Sequence, residues 1–198
     1  MTFDQEMNSL AFDVCPSPTS NDHQVRILID GEDWLEGNNL GIDPPEFFKQ
    51  KALRDGGELL IGRCDCGCVG CDDIRVQVKR KELGVTWTVR EGVFYFFAAK
   101  EYDRTIESGA TDTTWEDANR TAERLVDDLF RGVVIEGGYV FDWASARIGH
   151  GIITLSFSSG TSQKTFEFGW DGQTPESALP GAKRLYHERV ERGVGPNA

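Results

Sequence analysis

Apolar and polar residues alternate over several short stretches of this 198-residue chain. From His23 to Ile29 the apolar side chains occupy every second position, which is typical of a strand with one buried face. The same period recurs later, and we expect further strands at residues 58–64, 73–80, 84–90, 93–97, 139–148, 151–158 and 163–170. The connections within each group are too short for crossovers, so neighbouring strands should pair antiparallel.

A helical period interrupts these strands, most clearly over residues 113–131. Thr113 and Glu116 have the spacing of a capping box, and Gly132 follows the expected end. One apolar stripe on this helix should face a core: Trp115, Ala118, Ala122, Leu125, Val126 and Leu129. We also expect helices at 43–52 and 99–108, and a final helix after residues 174–175, where a threonine cap precedes a proline.

The order of these elements predicts an α+β fold, with a mainly antiparallel sheet or sheets and about four helices packed on one side. Residues 1–21 contain Pro16 and Pro18 and show no clear period, so we expect an N-terminal arm or tail outside the fold. Residues 22–198 then form a single α+β domain, or two sublobes divided near 109–113. The pattern leaves open whether the two groups of strands make one sheet or two.

The charge balance narrows the choice of partners. There are 21 basic and 33 acidic residues, giving a net charge of -12. This charge repels phosphate backbones and anionic lipid, so we expect neither nucleic acid nor membrane as a partner. A protein partner, in particular a basic one, fits the charge, although solubility alone also explains it. No apolar run has the length of a membrane span and no signal-peptide layout opens the sequence, which predicts a cytoplasmic location.

The candidate chemistry is concentrated in a cysteine cluster. Four of the five cysteines fall within eight residues: Cys64, Cys66, Cys68 and Cys71. Gly67 and Gly70 lie between them and allow the segment to curl, since glycine accepts positive φ. Thiolates bind zinc at about 2.3 Å in a tetrahedron, so these four cysteines are the candidate ligands of a metal, and zinc is the candidate cofactor.

Two observations keep a second interpretation of the cluster open. The sequence has no distant pair of Cys or His that would complete a conventional zinc finger, and His150, in a glycine-flanked turn, is the one loop candidate for an outside ligand. The alternative is a compact structural loop whose small thiols pack as weak hydrophobes. A reactive thiolate is disfavoured, because Asp65, Asp72 and Asp73 should raise the thiol pKa values.

The loop Cys64-Asp65-Cys66-Gly67-Cys68-Val69-Gly70-Cys71 resembles a Cys-x-Cys-Gly-x-x-Gly-Cys loop of a little-described family of bacterial proteins, where it follows an apolar strand. The similarity extends to segments 59–62, 85–87, 141–148 and 170–172, and so covers most of the chain after residue 21. The resemblance implies a shared fold and brings no activity with it. It accounts for Cys64, Cys66 and Cys71, because the family pattern leaves the position of Cys68 variable.

Catalytic motifs are scarce in this sequence. It contains no Gly-x-Ser-x-Gly elbow, no His-Glu-x-x-His and no glycine-rich phosphate loop with lysine, so no catalytic residue is predicted. We therefore expect a non-enzymatic bacterial protein that binds another macromolecule, such as an immunity or antitoxin-like protein whose acidic surface covers a basic site. The alternative is a metal- or thiol-dependent enzyme centred on the cysteines, with His150 or Asp73 assisting. The sequence predicts no oligomeric state.

Overall fold

Antiparallel pairing organises the sheets of this protein, whose computed structural model describes residues 7–18, 20–35, 39–66, 70–89 and 92–191. The chain forms two compact units, Met1–Trp115 and Glu116–Ala198. Over the described ranges there are three antiparallel sheets and five α-helices, where the sequence predicted about four. The α+β class is confirmed. The boundary between the units lies after Trp115, close to the sublobe division expected near 109–113.

The first sheet contains a strand that the sequence did not predict. Its order is β1 (Leu10–Pro16), β2 (His23–Ile29) and β3 (Glu32–Asp33). β1 pairs with β2 along its full length, so the expectation of an arm outside the fold is wrong for residues 10–16. The missed signal is the alternation of Leu10, Phe12 and Val14, which pack against the core. The neighbouring prolines led to the prediction of a tail instead of a strand, although proline is tolerated on an edge strand.

The second sheet of this unit is a meander with its strands in chain order: β4 (Gly57–Arg63), β5 (Asp73–Arg80), β6 (Gly84–Thr88) and β7 (Phe94–Ala98). The helices are α1 (Pro44–Phe48), α2 (Ala52–Asp55) and α3 (Ala99–Thr111). The sequence predicted one helix where α1 and α2 lie. The largest side chains buried between sheets and helices include Phe47, Leu59, Trp87, Phe97 and Tyr102.

The second unit has its own sheet, with the order β11-β10-β9-β8. Its elements are α4 (Ala118–Phe130), β8 (Val134–Ile135), β9 (Tyr139–Gly149), β10 (Ile152–Ser159), β11 (Ser162–Gly169) and α5 (Ala178–Tyr186), followed by a π-helical turn at His187–Glu191. The two groups of strands therefore belong to separate sheets. Residues of α4, α5, β9 and β10 share one apolar core that includes Val126, Phe130, Leu155, Phe157 and Ala182.

The start of α4 differs from the prediction. The helix begins at Ala118 and not near Thr113, because Asp117 acts as the N-cap and accepts a hydrogen bond from the Arg120 N–H at 2.9 Å. Aspartate caps at least as well as threonine. Glu116, expected to complete a capping box, instead accepts a hydrogen bond from Arg124 Nε at 2.8 Å.

Two carboxylate side chains of α4 accept hydrogen bonds from backbone N–H groups along one edge of β9. β8 pairs with β9 at Tyr139 and Val140, and the Phe141 N–H donates to the Val133 carbonyl oxygen at 2.9 Å. Further along, Asp127 Oδ1 accepts the Ala144 N–H at 2.9 Å and Glu123 Oε1 accepts the Ala146 N–H at 2.8 Å. Four helical residues rise about 6 Å and two strand residues about 6.8 Å, so the two spacings match. The helix thus takes the place of a missing strand and protects an edge that otherwise invites pairing with another chain.

The helices of this protein are short. α3 and α4 have 13 residues each, whereas a membrane span needs about 20 apolar residues. Among the described residues, no helix has both the length and the apolar character required to cross a bilayer.

Candidate metal centre

The cysteines lie at one end of the β4–β5 hairpin, where the backbone is held on both sides. The strand pairing runs to Arg63 and Asp73, and the Cys64 N–H then donates to the Asp72 carbonyl oxygen at 3.2 Å. On the other side of β4, Leu40 and Arg63 exchange two backbone hydrogen bonds of 2.9 Å each. Cys64 therefore follows a strand end that is anchored along both edges.

Gly62 is required for this close packing. A Cβ atom at that position would lie 2.6 Å from Leu35 Cδ2 and 3.0 Å from the Leu40 carbonyl oxygen. Neither approach is tolerated without movement of β4 or of its neighbours. Gly62, two residues before Cys64, thus sets how closely the backbone of Leu40 approaches.

The far end of the cysteine loop, defined as residues 64–71, is fixed by a chain of charged contacts. Gly70 has φ +79, and its N–H donates to Asp73 Oδ1 at 3.1 Å. Arg75 donates to Asp73 at 2.7 Å and to Glu58 at 3.0 Å. The hydrogen bond from Arg75, followed by that from Gly70, holds the pKa of Asp73 below its usual value. Asp73, one of the two residues that the alternative enzyme hypothesis named as assisting, accepts hydrogen bonds that shape the loop.

Three of the four predicted ligands come together. The sulfur atoms of Cys64, Cys66 and Cys71 all lie within 4.8 Å of one another, and those of Cys64 and Cys66 are 2.8 Å apart. In a tetrahedral zinc site with bonds of about 2.3 Å, the sulfur atoms are about 3.8 Å apart. Shifts of about 1 Å would therefore convert this arrangement into a coordination sphere. Cys68, the fourth predicted ligand, lies outside the described residues.

The close approach of the sulfurs changes their acidity. Hydrogen bonds with Cys66, and then with Cys64, are the main causes that raise the pKa of Cys71 to about 11, and negative charge on the two neighbouring sulfurs contributes to the same rise. The sequence attributed such a shift to the nearby aspartates, but the neighbouring sulfurs are its cause. Cys71 therefore favours the protonated thiol in the absence of a cation, which makes it a poor nucleophile. A bound divalent cation would replace this proton.

The remaining candidate residues are placed elsewhere. His150 lies in the second unit, exposed in the turn between β9 and β10. Cys15 lies in β1, where burial is the main cause of its raised pKa. Within the described part of the chain, Cys64, Cys66 and Cys71 are the one group of three or more His, Cys, Asp or Glu residues whose ligand atoms lie close enough to hold a metal ion.

A cavity of about 360 Å³ adjoins the end of the loop. Its wall includes Asp72, the residue after Cys71, and its other lining residues are Trp34, Asp73, Ile74, Arg75, Val89, Val93 and Tyr95. Sequence reasoning missed this cavity, because its walls come from four separate segments. The hydrogen bond that joins Trp34 Nε1 to the Tyr95 hydroxyl, at 2.8 Å, spans 61 positions of the chain.

No family model, curated protein or solved structure matches this chain. The resemblance in the cysteine loop therefore stays a prediction.

Proposed function

We propose that Cys64, Cys66 and Cys71 bind a zinc ion that fixes the end of the β4–β5 hairpin, within a non-enzymatic protein that binds another macromolecule. The observation that carries this proposal is the convergence of three thiol sulfurs within 4.8 Å. They lie on a loop whose ends are joined by the hydrogen bond from Cys64 N–H to Asp72. Loop closure is thus already achieved by the hairpin, which lowers the entropy lost when a metal binds.

The donor set favours zinc. Thiolates are soft ligands that select zinc, copper(I) or iron–sulfur clusters over magnesium and calcium. The cytoplasm expected from the sequence keeps thiols reduced, and zinc binds them without redox chemistry. We assign Cys68 as the fourth ligand on its position in the sequence, since structural zinc sites use four protein ligands.

The acidity of the chain supports a protein partner. A net charge of -12 on 198 residues speeds encounter with a basic surface and weakens binding to other acidic proteins. An immunity or antitoxin-like protein, which covers the basic active site of another protein, uses such a surface. The scarcity of catalytic motifs agrees with this role.

Elemental analysis of protein purified without chelator tests the zinc assignment. We expect one zinc ion per chain in the natural sequence and in Cys15→Ser, because Cys15 lies in β1 and outside the cluster. Cys66→Ser should lose the metal. Thiol titration of the zinc-loaded protein should find the cluster cysteines protected until the metal is chelated. Zinc retained at one ion per chain by Cys66→Ser would contradict the assignment.

A separate experiment tests the partner. The full chain, immobilised and exposed to extract of its native cells, should capture a basic protein that is released as the salt concentration rises. Capture of no basic protein would contradict the immunity-like role and would leave the zinc assignment standing.

The cavity next to Cys71 favours one alternative, a metal-dependent enzyme. Three thiolates with a fourth position open to solvent have the coordination number of catalytic zinc. The cavity of about 360 Å³ would then admit a substrate. The number of sulfur atoms around the bound metal separates the hypotheses: four sulfurs leave no open position, whereas three sulfurs and one oxygen provide it.

A further inference from the structure

The cavity beside the cysteine loop has walls of two kinds. Trp34 and Tyr95 stand edge to face with ring centroids 6.4 Å apart, and the hydrogen bond between them holds both rings in place. Ile74, Val89 and Val93 add aliphatic surface. An occupant must therefore bring an apolar or planar body that packs against fixed aromatic rings.

The charges at the cavity are unbalanced. The guanidinium of Arg75 is paired with Asp73 and Glu58, so its positive charge is compensated within the protein. Asp72 is exposed, and among the described residues no hydrogen bond or ion pair engages its carboxylate. The cavity lining thus holds the carboxylates of Asp72 and Asp73 and the guanidinium of Arg75, and that guanidinium pairs with Asp73 and not with Asp72. An occupant should be cationic.

We propose that this cavity receives an arginine side chain of a basic protein partner. The guanidinium would pair with the Asp72 carboxylate and stack on Trp34 or Tyr95, while the aliphatic stem packs against Ile74 and Val93. The cavity volume of about 360 Å³ lies near the lower end of the range for ligand sites, which fits one long side chain. This inference rests on the proposed protein-binding role, for which it names a contact point.

Arginine fits this cavity better than lysine for two physical reasons. Its guanidinium is planar and weakly hydrated, so it stacks on an aromatic ring at a low desolvation cost. It also pairs with a carboxylate through two parallel N–H donors, whereas an ammonium acts as a point charge. A lysine analogue should therefore bind, but more weakly.

Isothermal titration calorimetry of the full chain tests the inference without a known partner. The probe is Nα-acetyl-arginine amide, and the comparison compound is the citrulline analogue, which has the same shape and no charge. We expect a dissociation constant of about 1 mM for the arginine compound, the scale for a single side chain. Binding of the citrulline compound should be at least about tenfold weaker, since the charged hydrogen bond is lost.

Two variants locate the site, and a third controls for charge. Asp72→Asn should weaken binding of the arginine compound by about fivefold or more, because the ion pair is removed. Trp34→Leu should weaken it by a similar factor through loss of stacking, once circular dichroism has shown that the fold is kept. Glu82→Gln changes the net charge equally at an exposed position of the turn between β5 and β6 and should leave binding unchanged.

The inference is overturned by equal binding of the arginine and citrulline compounds, by equal effects of Asp72→Asn and Glu82→Gln, or by no binding at tens of millimolar probe. Its failure is distinguishable from failure of the proposed function. A basic protein captured equally well by the natural chain and by Asp72→Asn would remove the arginine site and leave the protein-binding role intact.

Discussion

Asp127 of α4 offers a quantitative test of how the second unit is held together. Burial raises the pKa of this carboxyl to about 7, and the hydrogen bond from the Ala144 N–H offsets only part of the effect. The negative charge of Glu123 raises the pKa further, whereas Arg131 lowers it. Asp127→Asn keeps an oxygen that accepts the Ala144 N–H and removes the charge. It is therefore a mimic of the protonated aspartate.

The size of the stability change follows from the coupling between protonation of Asp127 and folding. The pKa of Asp127 rises from 3.8 to about 7 on folding, and each unit corresponds to about 1.36 kcal/mol, so the ceiling is about 4 kcal/mol. Because the side chain is partly exposed, we expect about 1 to 2 kcal/mol. The folded state binds this proton more tightly than the unfolded state does. The stabilisation is thus complete below pH about 4 and is lost as the pH rises through about 7.

Asp127→Asn should therefore be about 1 to 2 kcal/mol more stable than the natural protein at pH 8, and the gain should shrink towards zero near pH 4. Urea unfolding followed by circular dichroism at pH 8, 6 and 4 measures it. Asp128→Asn is the control, because Asp128 is an exposed neighbour paired with Arg131 on the surface. A variant less stable than the natural protein at pH 8, or a difference that does not change with pH, would refute this reasoning.

Two further substitutions test packing and polar contacts in the two units. Glu123→Gln should lower the free energy of unfolding by about 2 to 4 kcal/mol, because it removes a buried carboxylate that pairs with Arg120, 4% exposed, at 3.0 Å and with Arg147 at 2.8 Å. Urea unfolding measures this loss. Glu136→Gln, at an exposed turn, is the control, and an equal loss of stability in this variant would contradict the role given to Glu123. Gly62→Ala should cost about 1 to 3 kcal/mol and weaken zinc binding, since its Cβ has no room. Urea unfolding and competition with a zinc chelator measure both effects. Gly149→Ala is the control, because its Cβ would meet its nearest neighbours at an ordinary 3.6 Å, and it should be close to neutral in both assays. Similar losses in the two variants would contradict the role of Gly62.

The strands were largely predictable from sequence because period-two alternation is local. His23–Ile29 and Asp73–Arg80 match the predicted bounds. β1 was missed although it carries the same alternation, because the prolines and polar residues around it suggested a tail. The ends of α4 depend on which of several competent caps is used, and Asp117 took the role expected of Thr113.

The buried polar residues of α4 could not be predicted in the same way. Arg120 and Glu123 fall outside the predicted apolar stripe, Arg120 almost opposite its centre, and on a helix considered alone they belong to a solvated face. Their burial follows from the docking of α4 on β9, where Glu123 accepts hydrogen bonds from Ala146 N–H and Arg147 Nε, at 2.8 Å each. Such a role depends on tertiary contacts that no local period encodes.

The candidate metal centre was predictable in part. Its cysteines are neighbours in sequence, and the glycines among them indicated that the segment could curl. The contribution of Asp73 and Arg75 to the loop was not foreseen, because it depends on the register of β4 and β5. The cavity was not foreseen either, since Trp34 and Tyr95 meet only in the folded unit.

X-ray absorption spectroscopy at the zinc edge tests the central claim most directly, because it counts the atoms bound to the metal. For the full chain loaded with one equivalent of zinc, we expect a shell of four sulfur atoms at about 2.3 Å, and three sulfurs with one lighter atom in Cys68→Ser. A first shell made of nitrogen and oxygen at about 2.0 to 2.1 Å, with no sulfur, would contradict the assignment of the cysteine loop as a zinc site.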